Sequence, residues 1–170
     1  LGELDCEEQR VVGKVVEAGR DRTFIFPAKS LEEQGAMDNV IGLFDQSLRA
    51  EGYRRKGRRW FVEKDEFRVA FYVLKSRFGA EYFVDIELTL HGSQDVDVST
   101  RVDYWTGDVG LSFRADDPLL QTKISDFIEQ QAMPLVRRLN ADLLRSSEGA
   151  KILRIAYVSK KAYGFFEFEG

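Results

Sequence analysis

The chain has 170 residues, 44% of them hydrophobic and 32% charged, with a formal net charge of −4 at pH 7. That length suits one domain, or one domain with an appendage, and suffices for a sizeable core; no apolar run reaches membrane-spanning length, so no membrane association is expected. The mild acidity argues against global nucleic-acid affinity while allowing a local basic patch, and the single cysteine, Cys6, excludes an internal disulfide and points to a reducing cytoplasm.

Residues 1–36 read as an appendage. Residues 1–5 lack the basic start and apolar centre of a secretory signal. Residues 11–16 and 23–26 are β-rich and flank Ala18-Gly19-Arg20-Asp21, a hairpin pattern that Pro27 ends. Ser30-Leu31-Glu32-Glu33-Gln34-Gly35 reads as a short capped helical turn stopped by Gly35. Met37 opens a cleaner pattern, either as a translation start or as an ordinary internal methionine. Residues 38–51 predict an amphipathic helix with Val40, Ile41, Phe44 and Leu48 on one stripe. Asp38 or Asn39 caps its start, and Gly52 supplies a left-handed residue at its end.

The stretch 52–76 organises the rest of the chain. A basic turn, Arg54-Arg55-Lys56-Gly57-Arg58-Arg59, is flanked by Tyr53 and Trp60 and leads into strands at 60–62 and 67–75. In the second strand Phe67, Val69, Phe71 and Val73 share a face. In 82–91, Val84, Ile86, Leu88 and Leu90 share one face, with Asp85, Glu87, Thr89 and His91 on the other. A one-residue slip would bury the carboxylates, so Val73 is expected opposite Val84 and Phe71 opposite Ile86. Residues 96–105 alternate again: Val96, Val98, Thr100, Val102 and Tyr104 inward, Asp95, Asp97, Ser99, Arg101 and Asp103 outward. Thr106-Gly107-Asp108 turns the chain into a short fifth strand through Val109, Leu111 and Phe113. The result is a five-stranded antiparallel meander with one largely wet face.

Asp117-Pro118 is expected to open the longest helix, whose apolar positions run from Leu120 to Leu143. Pro134 removes the bond to the Gln130 carbonyl and predicts a kink or break. Ser146-Ser147-Glu148-Gly149 interrupts the pattern. Ile152, Leu153, Ala156 and Tyr157 resume it as a final helix, and Phe165, Phe166 and Phe168 close the chain as an extended segment. The fold class is α+β, with one sheet face packed against an N-terminal-side helix and a long, Pro-interrupted C-terminal helical region. The domain proper is 37–170.

The run Gly52-Tyr53-Arg54-Arg55-Lys56-Gly57-Arg58-Arg59-Trp60-Phe61, followed by Leu74-Lys75-Ser76 and Phe83-Val84-Asp85-Ile86, resembles an uncharacterised bacterial domain family of unknown function. That family shows a Gly-Phe-basic-basic-Lys-Gly run, a Gln-Lys-Ser strand end and a Phe-x-Val-Asn strand. Here Leu74 stands for the Gln and Asp85 for the Asn. The resemblance covers roughly residues 37–144. It implies an α+β fold and no known activity, and it transfers no catalytic residues.

Two groups of residues invite a functional reading. Arg54, Arg55, Lys56, Arg58 and Arg59 suit phosphate groups of nucleic acid or another anion, with Tyr53 and Trp60 for stacking. The plainer reading, a solvated turn paired with the domain's own carboxylates, outweighs it. His91, Asp95 and Asp97, with Glu87 and Asp85 further along, would suit a divalent metal. No recognised ligand spacing supports that, and a polar face with Asp85 opposite Arg101 explains them better. Catalytic motifs are lacking: Cys6 has no local base, Ser76 and Ser112 lack an elbow context, and Gly107-Asp108-Val109-Gly110 lacks both phosphate-loop Lys and dinucleotide Gly spacing. The residues point to a non-enzymatic cytoplasmic binding or protein-interaction module with no cofactor and no metal. Nucleic-acid or phosphate binding through 54–59 is the alternative, and an immunity-type inhibitor of a toxin the second.

Overall fold

A computed structural model describes the backbone of residues 11–17, 20–26 and 31–167, and the side chains from Glu33 to Glu167. The chain divides into two compact units, Leu1–Gly35 and Ala36–Gly170. In the first unit, strand β1 (Val11–Glu17) pairs antiparallel with β2 (Arg20–Phe26), Glu17 opposite Arg20. Arg20 and Asp21 therefore belong to a strand rather than to the turn. Ala18, Gly19 and Pro27 lie outside the described residues, as does Phe168.

Helix α1 runs for twenty residues, Leu31–Ala50, so Gly35 does not stop it and Asp38 and Asn39 are interior rather than capping. A helical glycine costs only about 1 kcal/mol against alanine. That is too little to end a helix whose buried stripe continues through Met37, Val40, Ile41, Phe44 and Leu48. Gly52, with φ 86°, does end it: its N–H donates to the Arg49 carbonyl, and the Tyr53 N–H reaches back to Leu48.

The second unit carries a seven-stranded sheet in the order β3-β4-β5-β6-β7-β9, with β8 paired to β6. Seven replaces the expected five for two reasons. The basic run itself forms a strand, β3 (Arg54–Lys56), paired with β4 (Arg59–Glu63). At the other edge β9 (Tyr157–Val158) returns from the C-terminal region to pair with β7 (Val98–Arg101), where a final helix was expected over Tyr157. Between them, β5 (Phe67–Lys75) and β6 (Glu81–Leu90) form the long central hairpin, with Val73 opposite Val84 and Phe71 opposite Ile86. Strand β8 is only Phe113–Arg114; Val109, expected within it, is 72% exposed.

The predicted strand at 96–105 stops at Arg101, and Val102–Thr106 forms a short helix, α2. Asp103, expected outside, is buried there. Its Oδ2 accepts from Arg101 Nη2 and from the Gly110 N–H, both at 2.9 Å, while Gly107 takes the left-handed cap at φ 79°. These local bonds to a buried carboxylate override the alternating pattern.

The C-terminal region begins with α3 (Leu120–Phe127). Asp117 Oδ1 accepts from the Leu119 N–H in the turn before the helix, but Asp117 is not its cap: Leu119 is the N-cap without a side-chain bond, and the helix starts two residues beyond Pro118. Pro134 does not break the helix. A π turn, Ile128–Ala132, precedes α4 (Met133–Arg138), and the Met133 N–H donates to Ile128. Widening by one residue seats the proline in the first turn of α4, where its missing N–H is tolerated. The break comes at Leu139, whose ψ of 117° is extended, and Asn140 caps the next helix, α5 (Ala141–Arg145), through the Leu143 N–H. Ser146 caps α6 (Ser147–Leu153), and Ser159 caps α7 (Lys160–Phe165), so Phe165 and Phe166, expected in an extended segment, form the end and cap of a helix.

The inner sheet face and these helices share one core. Phe44 lies 5.9 Å from Trp60 and meets Phe113 and Phe127 edge-on at 5.3 and 6.3 Å. Phe166 meets Phe67 at 6.4 Å. Gly149 marks the tightest approach: a Cβ there would sit 2.3 Å from the Leu143 carbonyl oxygen and 2.5 Å from Leu144 Cα. Because the obstacle is backbone, Gly149→Ala should force α5 and α6 apart and cost about 1–3 kcal/mol. A chemical denaturation curve indistinguishable from that of the parent would refute this packing.

Candidate functional site

Alternation along the strands sorts the basic run onto different faces. Arg54 and Lys56 on β3, Arg59 on β4 and Arg68 on β5 point to the outer face, whereas Trp60 points inward and is fully buried. Its indole N–H donates to Asp45 Oδ1 at 2.8 Å. Tyr53 is also buried, tilted against Phe71 with ring centroids 5.7 Å apart and its hydroxyl without a partner among the described residues. Burial pushes the Tyr53 phenol well above its ordinary pKa, with Glu51 adding to the shift. The two rings expected to stack on nucleic-acid bases are thus core residues, a correction to the reading of the turn.

The turn itself is a two-residue hairpin loop, Gly57-Arg58, closed by Lys56 opposite Arg59. Gly57 takes φ 62° at the first loop position, the conformation that a tight hairpin of this kind requires. Most of its cations have partners. Arg54 lies 3.4 Å from Glu63, and Arg55 lies 3.4 Å from Asp45 and 5.4 Å from the Trp60 ring. Arg58 donates to the Tyr72 hydroxyl at 2.9 Å. Arg59 forks onto the buried Glu87 carboxylate at 2.6 and 3.0 Å. That fork raises the Arg59 pKa, burial offsetting part of the effect. Cations on β3 have a structural use as well: β3 is a sheet edge, and charge there discourages pairing with another chain.

What the strands assemble on the outer face is larger than the turn. Three rings lie on it, each with guanidinium over it. Phe61 sits beneath Arg54 and Arg68, at 5.1 and 4.9 Å; Tyr72 beneath Arg58 and Arg59, at 5.3 and 4.0 Å; Phe83 beneath Arg101, at 4.0 Å. Cross-strand register builds this: Arg59, Tyr72, Asp85 and Arg101 lie in one row, and Phe61, Ala70, Glu87 and Ser99 in the next. Cations outnumber carboxylates on the face, although the whole chain is negative. The sequence did not single out Phe61, Tyr72 and Phe83 as site residues, and it pointed to Glu87 only as a metal ligand. The signal for them was present in the same alternation that located the core.

Asp85 lies opposite Arg101, but Arg101 bonds Asp103 instead. Desolvation raises the Asp85 pKa, Arg101 partly offsets it, and Glu87 and Asp103 add to it. Raised from about 3.9, it contributes stability that is complete below that value and is lost as pH rises through the folded-state pKa. Asp85→Asn is therefore expected to raise the melting temperature at pH 7 and to leave it unchanged or lower at pH 3. Equal effects at both pH values would contradict this placement of the carboxyl.

The metal reading does not assemble. Asp97 turns inward, His91 Nε2 is 2.9 Å from the Lys64 carbonyl, and no group of three His, Cys, Asp or Glu side chains suits a metal ion among the described residues. No helix among those residues is long and apolar enough to cross a membrane. Compared with known proteins, the chain matches no family model, no curated protein and no solved structure.

Proposed function

We propose that this chain is a non-enzymatic protein-interaction module whose outer sheet face docks a partner presenting carboxylates. The observation that carries the reading is the ordered layer of arginines over Phe61, Tyr72 and Phe83. Arginine and aromatic residues are over-represented among interface hot spots, and guanidinium groups already held in place lose less entropy on binding. The non-enzymatic part rests on how the depressed carboxylates are occupied. Asp45 is tied to Trp60, Arg49 and Arg55, and Asp97 to Ser159 and Leu90. A cytoplasmic location and membership of the bacterial family that residues 37–144 resemble belong to the same proposal, as does the narrower possibility of a toxin-immunity partner.

The test is a titration of a labelled Glu-rich, Leu-containing peptide and of labelled single- and double-stranded oligonucleotides, each at low and physiological salt. The peptide should bind saturably at low salt, and Arg54→Ala with Arg68→Ala should weaken it severalfold without lowering thermal stability. Oligonucleotide binding that outlasts peptide binding at physiological salt would favour the phosphate reading instead. Failure of the peptide to bind at low salt would remove the docking proposal.

A further inference from the structure

A second site lies away from the sheet face. Residues 108–113 and one side of α3 and the π turn line an open cleft of about 410 Å³, within the range of small-molecule pockets. Its apolar lining is Val109 and Leu111 over the buried Phe113 and Phe127, whose rings are 5.5 Å apart. Its polar rim is unbalanced. Gln131 Nε2 donates to Asp108 Oδ2 at 3.2 Å, which fixes the amide and leaves Gln131 Oε1 buried with no donor among the described residues. Asp126 has no ion pair or hydrogen bond among the described residues, and the Lys123 ammonium is held by Asp117. A buried acceptor without a donor is costly and calls for an explanation. Gln131 also stands in the π turn, and such turns recur at functional sites.

We propose that this cleft binds a small organic ammonium ligand with an aromatic or aliphatic body. The ammonium N–H groups meet Gln131 Oε1 and the Asp108 and Asp126 carboxylates, and the body lies on Val109 and Leu111, over Phe113 and Phe127. A carboxylate or phosphate ligand would instead face acceptors and two negative charges. A neutral alcohol of the same shape supplies one donor and no charge.

The experiment is an NMR titration of the full chain, following backbone and Gln side-chain amides. The probes are phenethylamine, 2-phenylethanol and N-acetyl-lysine methylamide. Phenethylamine should shift the Gln131 side-chain amide and residues 108–113 saturably, and 2-phenylethanol should bind about tenfold more weakly or worse. Asp126→Asn, at an exposed helical position, should weaken phenethylamine about tenfold while the remaining spectrum is preserved. Absence of saturable shifts with any amine, equal affinity for the alcohol, or an unchanged affinity in the Asp126 variant would overturn the assignment. Tighter binding of the lysine derivative than of phenethylamine would overturn the free-ligand form, because the cleft would then be reading a side chain. Because the sheet face contributes nothing here, failure at the cleft leaves the docking proposal standing.

Discussion

Phe71→Ala is expected to lower stability by about 3–5 kcal/mol, a large share of the total stability of a domain this size. Phe71 is 1% exposed. It lies between Trp60 and Ile86 in the sheet and packs against Tyr53, which the helix-ending Gly52 turn delivers to the core. Truncation leaves a cavity where strand, helix and turn meet, and the sheet cannot collapse into it without losing its register on both sides. Urea denaturation followed by Trp fluorescence reads the effect. A midpoint equal to that of the parent would reject the strand assignment.

Asp97→Ala is expected to cost about 2–4 kcal/mol, since it strands several donors. Asp97 Oδ2 accepts from the Leu90 N–H at 2.9 Å, and Oδ1 from the Ser159 hydroxyl at 2.6 Å. Ser159 in turn accepts from the Ala162 N–H, and its own N–H donates to the Asp97 carbonyl. One carboxylate therefore ties the end of β6 to the start of α7. Burial works to raise its pKa, but Ser159, Ser93, the Leu90 N–H and nearby Lys161 outweigh burial and hold it below the ordinary carboxylate range. A depressed folded-state pKa contributes stability that is present above about pH 3.9 and is lost as pH falls through the folded value. The gap between the parent and Asp97→Asn should therefore be widest near neutrality and close in acid. Asp45, where burial is outweighed by Trp60, Arg49 and Arg55, is depressed too and preserves some acid sensitivity in the variant. A gap that widens as pH falls would contradict the network.

These two residues show what the sequence made legible. Phe71 sits in a strand of strict alternation, so periodicity placed both its face and its partner Ile86. Asp97 alternates just as cleanly with Val96 and Val98, and periodicity put it outside. It is inside because Ser159, sixty-two residues later, and the Leu90 N–H satisfy it, and no local pattern carries that information. The same holds for Val102–Thr106, where a buried Asp103 turned an alternating stretch into helix. At the candidate site, composition drew attention to the basic run as a block. The strand period divided that block, sending Trp60 to the core and Arg54, Lys56 and Arg59 to the face that Phe61 and Tyr72 share. Reading Phe61 and Tyr72 as partners of arginine required the register of β4 on β5, Arg59 opposite Tyr72 and Phe61 opposite Ala70, which the expected meander did not specify.

The docking claim is tested most directly by watching the arginines themselves. Arginine Nε–Hε resonances, assigned by single substitution, can be followed while the Glu-rich peptide is added to the full chain at low salt. The signals of Arg54, Arg59, Arg68 and Arg101 should shift together and saturate at one common affinity, with Arg138 and Arg145 unaffected. Saturable binding that moves Arg138 and Arg145, or any set lacking the sheet-face arginines, would contradict docking on this face.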